Sequence, residues 1–165
     1  MMSIDPQVIA DVVQLNGGKL VGKTRLQKTF YFLELYGLGA DLDFQYHHYG
    51  PYSEDLSLGV DDAVALDVLS LDWKAGNNAP YAVFSVASSN SICADGKSES
   101  RKKVLSVLNN YDSISLELAA TADFLSKVGY ADDPWAETRV RKSTKATRER
   151  MEKAKTLLSE LQGLS

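Results

Sequence analysis

The spacing between apolar residues changes along this chain, and that change restricts its fold more than any other sequence feature. Apolar side chains recur every three or four positions over 4–15, 24–36 and about 53–67, which is typical of amphipathic helices. The stretch 44–49 is instead short and rich in aromatic residues. Over about 69–86, apolar and polar residues alternate on both sides of a Gly-Asn-Asn turn. The first half of the chain is therefore predicted to run helix, helix, strand, helix, β-hairpin.

Turn and capping residues set the expected limits of these elements. An Asn-Gly-Gly turn ends the first helix, so 16–23 is predicted to be a connection between two helices. Thr24 and Gln27 have the spacing of a capping box, which predicts that the second helix begins at Thr24. A Gly-Pro pair at 50–51 is expected to break the strand, and Ser53 is the expected N-cap of the third helix.

The second half of the chain is predicted to be helical. Apolar spacing favours helices over about 99–111, 113–129 and 145–162. A short helix is expected after Asp133-Pro134, a favoured pair for the N-cap and the first helical position. Residues 87–98 are polar and rich in Ser, and they are expected to form a surface loop.

Together these elements predict an α+β, mostly helical fold. The order over about 4–87 is close to that of a winged helix in which the β-hairpin of a small antiparallel sheet is the wing, and about 98–163 is expected to be a C-terminal helical part. The chain has 165 residues, of which 44% are hydrophobic and 24% charged. A chain of this size buries roughly 70% of its unfolded surface, so 1–165 is predicted to be one globular domain.

Cysteine content and the N-terminus indicate the compartment. Cys93 is the only cysteine, so it cannot form an internal disulfide, and no Cys/His spacing suggests structural zinc. The first residues lack the basic and apolar stretch of a signal peptide, and no apolar run approaches the roughly 18 residues of a membrane span. These features predict a cytoplasmic protein with no membrane partner.

The segment Gly17–Thr24 matches the letters of a P-loop, G-x-x-x-x-G-K-T. A P-loop follows a buried strand, whereas the residues before this segment have helical periodicity. Lys23 is therefore predicted to be structural or to face a partner, and no nucleotide or other cofactor is expected.

Residues 46–53, Tyr-His-His-Tyr-Gly-Pro-Tyr-Ser, are the most unusual stretch and contain both histidines of the chain. Neighbouring residues of a strand point to opposite faces, so His47 and His48 cannot ligate one metal without a bulge. Either imidazole could act as a general acid or base, but no nucleophile with an orienting carboxylate is identifiable nearby. The stretch favours a packed aromatic strand with a partner-binding patch, and no catalytic or metal site is expected.

The charge distribution bears on nucleic acid binding. The net charge is −4, yet 139–155 contains eight basic and two acidic residues. This basic run could neutralise phosphates, or it could be a solvated helix face that complements an acidic protein. The helix expected over 53–67 would be the recognition helix of a winged helix, and it has five acidic residues with no Lys or Arg. Phosphate would repel such a helix, so nucleic acid is the less favoured partner.

Two stretches carry a resemblance to a known family. They are 22–33, with Arg25-Leu26-Gln27-Lys28 at its centre, and 44–56, around Tyr49-Gly50-Pro51. Over about 5–70 the chain resembles the SocA-type antitoxin (Panacea) domain superfamily, and within it the YwgA-like branch. The resemblance implies a mostly helical domain with a small sheet, used as an antitoxin or neutralising module that binds varied toxic proteins. Members of the wider family also occur as proteolytic adaptors and near phage-defence genes.

The function predicted from the sequence is non-enzymatic protein binding, as an antitoxin-like, neutralising or adaptor protein. The runner-up is a winged-helix DNA-binding regulator, and the third reading is a nucleotide-using enzyme. The aromatic segment and the start of the second helix are expected to adjoin, with the C-terminal basic residues orienting the encounter; a homodimer is left open. The predicted partner-binding residues are Arg25, Lys28, Tyr46, His48, Tyr49 and Tyr52.

Overall fold

A computed structural model describes residues 4–87 and 95–164, and Cys93 with most of the predicted 87–98 loop lies outside these ranges. Within them the chain forms seven helices and two small antiparallel sheets, which confirms the predicted α+β, mostly helical class. The elements are α1 (Pro6–Leu15), β1 (Lys19–Val21), α2 (Lys23–Leu35), β2 (Gln45–His47), β3 (Gly50–Tyr52), α3 (Glu54–Ala65), β4 (Ser70–Lys74), β5 (Tyr81–Ser85), α4 (Ser98–Leu108), α5 (Ser113–Lys127), α6 (Pro134–Arg141) and α7 (Arg148–Gln162).

The predicted β-hairpin is present as β4 and β5, which pair with Trp73 opposite Ala82. Strand β1 adds to the other edge of β5, so the strand order in this sheet is β1-β5-β4. Helices α1 and α3 pack against each other beside the sheet. The winged-helix assignment of this half stays a prediction.

The predicted connection over 16–23 is wrong in one respect, because β1 lies inside it. Lys19 is opposite Ser85, and Leu20 is buried opposite Phe84. Three residues are too few to show a period-two pattern, and what makes them a strand is the partner β5, which lies more than 60 positions away in the sequence.

The prediction of a capping box formed by Thr24 and Gln27 is also wrong. Helix α2 begins at Lys23, and its N-cap is Gly22 at φ 99°, with no side-chain capping bond. The amide of Gln27 is instead hydrogen-bonded to the backbone of Ser53. Ser53 itself is the N-cap of α3, as predicted, since its hydroxyl accepts a hydrogen bond from Leu56 N–H.

The aromatic strand is shorter than expected and does not end at the Gly-Pro pair. Residues 50–52 form β3, which pairs back onto β2 with Pro51 opposite Tyr46. Proline lacks an N–H donor, but a two-stranded sheet leaves one side of each strand without a ladder, and there proline is tolerated. The expected break is therefore a second hairpin.

Helix α5 lies at the centre of the molecule and packs against α2, α6, α7 and β3. Residues 115–122 of α5 are buried without exception, so this helix has no broad solvent face. One apolar core contains Phe30 and Leu56 from the first half of the chain together with Leu116 and Leu157 from the second.

Helix α4 is fixed to α1 by a charge cluster around the buried pair Arg101 and Asp11. Arg101 is fully buried and donates to Asp11 at 3.0 Å, to Asp95 at 2.6 Å and to the Leu38 carbonyl at 2.8 Å. The buried Arg101 guanidinium is thus paired with two carboxylates and a carbonyl, and the buried Asp11 is paired with Arg101, as buried charges require. Across the described ranges, the helices are too short or too polar to span a membrane.

Candidate functional site

The two stretches that carry the family resemblance form one packed unit. Gln27 Nε2 donates to the Ser53 carbonyl at 3.0 Å, and the Ser53 N–H donates to Gln27 Oε1 at 2.8 Å. Lys28 Nζ donates to the Pro51 carbonyl at 2.7 Å. The expected contact between the second helix and the aromatic segment is confirmed, and it is made by side chains of α2 that hold the backbone of 51–53.

Gly50 brings the β2–β3 hairpin directly onto α5. Its φ is 89°, a conformation that favours glycine, and a Cβ built there would lie 2.5 Å from Thr121 Oγ1. The backbone of the hairpin therefore approaches α5 more closely than any residue with a side chain would allow.

Four charged residues surround this contact, and we call them the lysine clamp: Lys28, Glu117, Lys142 and Lys145. Glu117 is buried and accepts from Lys142 Nζ and from Lys145 Nζ, each at 3.0 Å. Lys142 Nζ also donates to the His48 carbonyl at 2.8 Å. The clamp thus reaches the hairpin backbone at His48 from the C-terminal half and at Pro51 from α2.

The lysine clamp contains three ammonium groups and one carboxylate, and this imbalance acts on Lys28. Burial lowers the pKa of Lys28 to about 8; Glu117 opposes this shift, while Lys142 and Lys145 add to it. Lys28 is almost inaccessible to solvent. Its charge is therefore held in the protein against a desolvation penalty, which is consistent with a structural role.

On one side of the hairpin, aromatic rings alternate with basic side chains. Tyr49 lies at the turn between β2 and β3, is 52% exposed and has Lys145 Nζ 4.7 Å from its ring centroid. Arg141 lies 4.8 Å from the Tyr46 ring and 5.2 Å from the Tyr130 ring, and it donates to the Tyr130 hydroxyl at 3.2 Å. We call these five residues the tyrosine surface.

The other side of the hairpin faces α3. His47 and Tyr52 stack with their ring centroids 4.8 Å apart, next to Glu54 and Asp55 at the start of α3. Alternation along the two strands separates this pair from Tyr46, which packs towards Phe124 of α5. The aromatic segment therefore has two faces with different chemistry.

The predicted partner-binding residues fall into two groups. Arg25 is half-buried and donates to the carbonyls of Leu108, at 3.2 Å, and Tyr111, near the C-terminus of α4. The side chains of Arg25 and Lys28 therefore both form hydrogen bonds to backbone carbonyls of the same chain. The other four, Tyr46, His48, Tyr49 and Tyr52, keep part of their surface accessible.

Sequence reasoning missed Glu117, and it gave Lys142 and Lys145 no individual role within the basic run. One signal for Glu117 existed, because it is an acidic residue between apolar neighbours on a helix with apolar residues on several faces. A buried carboxylate needs a cationic partner, but the sequence does not show which one.

The segment with P-loop letters follows a helix, α1, where a P-loop would follow a strand. Lys23 Nζ lies 5.0 Å from the centroid of the Trp73 ring, at the start of α2. Within 4–87 and 95–164, no group of three His, Cys, Asp or Glu side chains is arranged to hold a metal ion.

No protein-family model matches the sequence, and no curated protein is significantly similar to it. The resemblance to the SocA-type antitoxin superfamily stays a prediction.

Proposed function

We propose that this protein is a non-enzymatic protein-binding module that neutralises or masks a protein partner in the manner of an antitoxin. The observation that carries the proposal is the exposed Tyr49 at the turn of a hairpin whose backbone is held at Pro51, Ser53 and His48. A surface fixed before binding loses less conformational entropy when a partner docks. The resemblance of 22–33 and 44–56 to antitoxin domains supports the same function and a link to toxin–antitoxin or phage-defence systems.

The tyrosine surface suits a partner that is acidic around an apolar pocket. Tyrosine loses little side-chain entropy on binding, and a centrally buried tyrosine anchor contributes about 2 kcal/mol or more. Arg141 and Lys145 lie beside the rings, and Arg139 and Arg148 are exposed nearby in the sequence. Basic residues around an anchor accelerate and orient association with an acidic surface.

Co-expression with the product of a toxic gene directly adjacent to this one tests the proposal. Tyr49→Ala is expected to lose most of the rescue from toxicity while the circular dichroism spectrum stays that of the wild type. Tyr81→Ala is the matched control, because Tyr81 is 42% exposed on the other hairpin and lies outside the tyrosine surface. Full rescue by Tyr49→Ala, or an equal loss with Tyr81→Ala, would contradict the assignment of this surface.

A second candidate is a winged-helix DNA-binding regulator, and the strand order β1-β5-β4 with α3 before the β4–β5 hairpin favours it. The charge of α3 opposes it, since Glu54, Asp61 and Asp62 are exposed on this helix. We expect only weak, salt-sensitive binding to duplex DNA. A gel shift with a defined operator that persists against competitor DNA and at raised salt would promote this candidate.

A further inference from the structure

Two adjoining clefts lie along one face of α3 and share Tyr52 as a common wall. The first is lined by the His47–Tyr52 ring pair, by Asp43, and by Glu54, Asp55 and Leu58 of α3. The second is lined by Tyr52, Leu71, Lys23, and Ser57, Val60 and Asp61 of α3. We call the two together the α3 groove.

The α3 groove is centred on one face of the helix, with Asp55 and Val60 on opposite flanks of that face. Glu54, Ser57, Leu58 and Asp61 are spaced three and four residues apart, so their side chains lie on one face. Seven residues of helix correspond to about 10 Å, which is close to the roughly 9 Å spanned by three residues of a polyproline II segment, where side chains three positions apart lie on the same side. The groove is thus about as long as a short peptide segment.

Charge is distributed unevenly along the α3 groove. Asp43, Glu54 and Asp55 lie at the hairpin end, and Asp61 lies in the second cleft. Lys23 is the only basic residue among the described lining residues, and its ammonium is positioned over the Trp73 ring. A cationic group is therefore favoured at the hairpin end, and a phosphate backbone is disfavoured along the whole groove.

Apolar surface accompanies these charges. Leu58, which lines the first cleft, is 45% exposed. Lys23, which lines the second, lies against the ring of Trp73, and Trp73 is 56% exposed. A Lys or Arg side chain could lie with its methylene stem against Tyr52 and Leu58 and its head near Glu54 and Asp55. In a polyproline II segment, an apolar side chain three positions further on lies on the same side about 9 Å away, which reaches the second cleft, lined by Val60 and Leu71.

From this arrangement we infer that the α3 groove binds a protein segment with a basic residue and an apolar residue three positions apart. The inference goes beyond the proposed function, because it uses the side of the hairpin opposite to Tyr49 and does not need the tyrosine surface.

The test uses two pools of end-blocked decapeptides in which Arg and Leu, or Glu and Leu, are fixed three positions apart. Backbone amide shifts of the isotope-labelled full chain are followed by NMR. The Arg pool is expected to shift amides of 54–61 in a saturable way, with an apparent affinity at least about tenfold above that of the Glu pool.

Variants assign the binding to the groove. Glu54→Gln combined with Asp55→Asn is expected to weaken binding of the Arg pool by about tenfold. Glu99→Lys is the control, because Glu99 is also an exposed acidic residue in the first turn of a helix, α4, and does not line either cleft; its effect should stay within about twofold after screening by salt.

Several results would overturn the inference. They are equal shifts from the two pools, no shift of the α3 amides by the Arg pool, or a Glu99→Lys effect as large as that of the double variant. Saturable shifts of the same amides by duplex DNA would assign the face to nucleic acid instead. Loss of toxin rescue in Tyr49→Ala with unchanged peptide binding would separate this inference from the proposed function.

Discussion

The two hairpins of this protein are held in place by different forces. The β4–β5 hairpin has five paired residues in each strand, joins β1 in a three-stranded sheet and buries Ala82, Val83 and Phe84. The β2–β3 hairpin has three paired residues in each strand, and no third strand joins it within 4–87 and 95–164. An isolated hairpin of that size is marginal in water, so the second hairpin depends on contacts outside itself.

Those contacts come from polar side chains that bind the backbone of β2–β3. Gln27, Lys28 and Lys142 are engaged with Ser53, Pro51 and His48 respectively. Because the backbone is bound in this way, the hairpin's own side chains are not needed for a core. Tyr49 and the His47–Tyr52 pair are left partly accessible, whereas strand β5 of the other hairpin buries Ala82, Val83 and Phe84 in the interior.

The largest effect is expected for Glu117→Ala, which leaves the ammonium groups of the lysine clamp without their carboxylate. Removing one partner of a buried ion pair destabilises a protein by about 3–5 kcal/mol. The total loss of stability is measured as the change in the free energy of unfolding from urea titration. Hydrogen exchange should rise first in β2–β3, since the clamp holds that hairpin.

Two comparison variants sharpen this prediction. Phe84→Ala is expected to destabilise by a similar amount, about 3–5 kcal/mol, through a cavity under β4–β5. Glu137→Ala removes only an exposed ion pair to Arg141 and should change stability by less than about 1 kcal/mol. If Glu117→Ala and Glu137→Ala were equally mild, the clamp would not be what holds the hairpin.

Gly50→Ala is expected to destabilise by about 2–3 kcal/mol, because it combines a left-handed backbone conformation with a clash against Thr121. Gly129→Ala is the control for the backbone alone, since Gly129 has a φ of 121° and open space around its Cα. Thermal unfolding should show a larger loss of stability in Gly50→Ala than in Gly129→Ala. Adding Thr121→Ala to Gly50→Ala should recover part of it, and no recovery would argue against the close approach to α5.

The pH dependence of stability tests the charge on Lys28. The pKa of Lys28 in the folded protein is about 8 against 10.5 for the unfolded chain, so between these values the unfolded state binds more protons. Stability should therefore rise with pH there, by roughly 2 kcal/mol between about pH 7 and pH 9.5 relative to Lys28→Met. A difference between wild type and Lys28→Met that stays flat, or that falls with pH, would contradict the buried ammonium.

The smallest stability effects are expected at exposed residues of both hairpins. Tyr49→Ala and Trp73→Ala should each change the free energy of unfolding by less than about 1 kcal/mol, because both side chains are more than half exposed. Chemical denaturation measures this directly. A loss of several kcal/mol in Tyr49→Ala would show that Tyr49 belongs to the core, and the proposed function would lose its anchor residue.

Local signals in the sequence were sufficient for most of the helices and for one hairpin. The N-caps Ser53 and Asp133, with Pro134 after the latter, are placed as predicted, since capping depends on residues only three positions apart. The β4–β5 hairpin was also predictable, because its alternation extends over five residues on each side of a turn.

Elements that depend on distant partners were not predictable in this way. Strand β1 exists because β5 pairs with it, and Gln27 has the spacing of a capping residue but binds Ser53, 26 positions away. The same holds for the candidate site. The sequence pointed to the aromatic segment 46–53, but it could not divide that segment into the tyrosine surface and the α3 groove.

By itself, the sequence determined which segments are helical, because periodicity, capping and turn preferences act over a few residues, and its motifs singled out the two stretches 22–33 and 44–56. Only the tertiary structure decided that Lys28 is buried and Tyr49 exposed, although both belong to those stretches. The physical reason is that burial and charge pairing depend on what the rest of the chain brings alongside. Glu117, Lys142 and Lys145 come together beside Lys28 only when α5 and the segment after α6 pack against the β2–β3 hairpin.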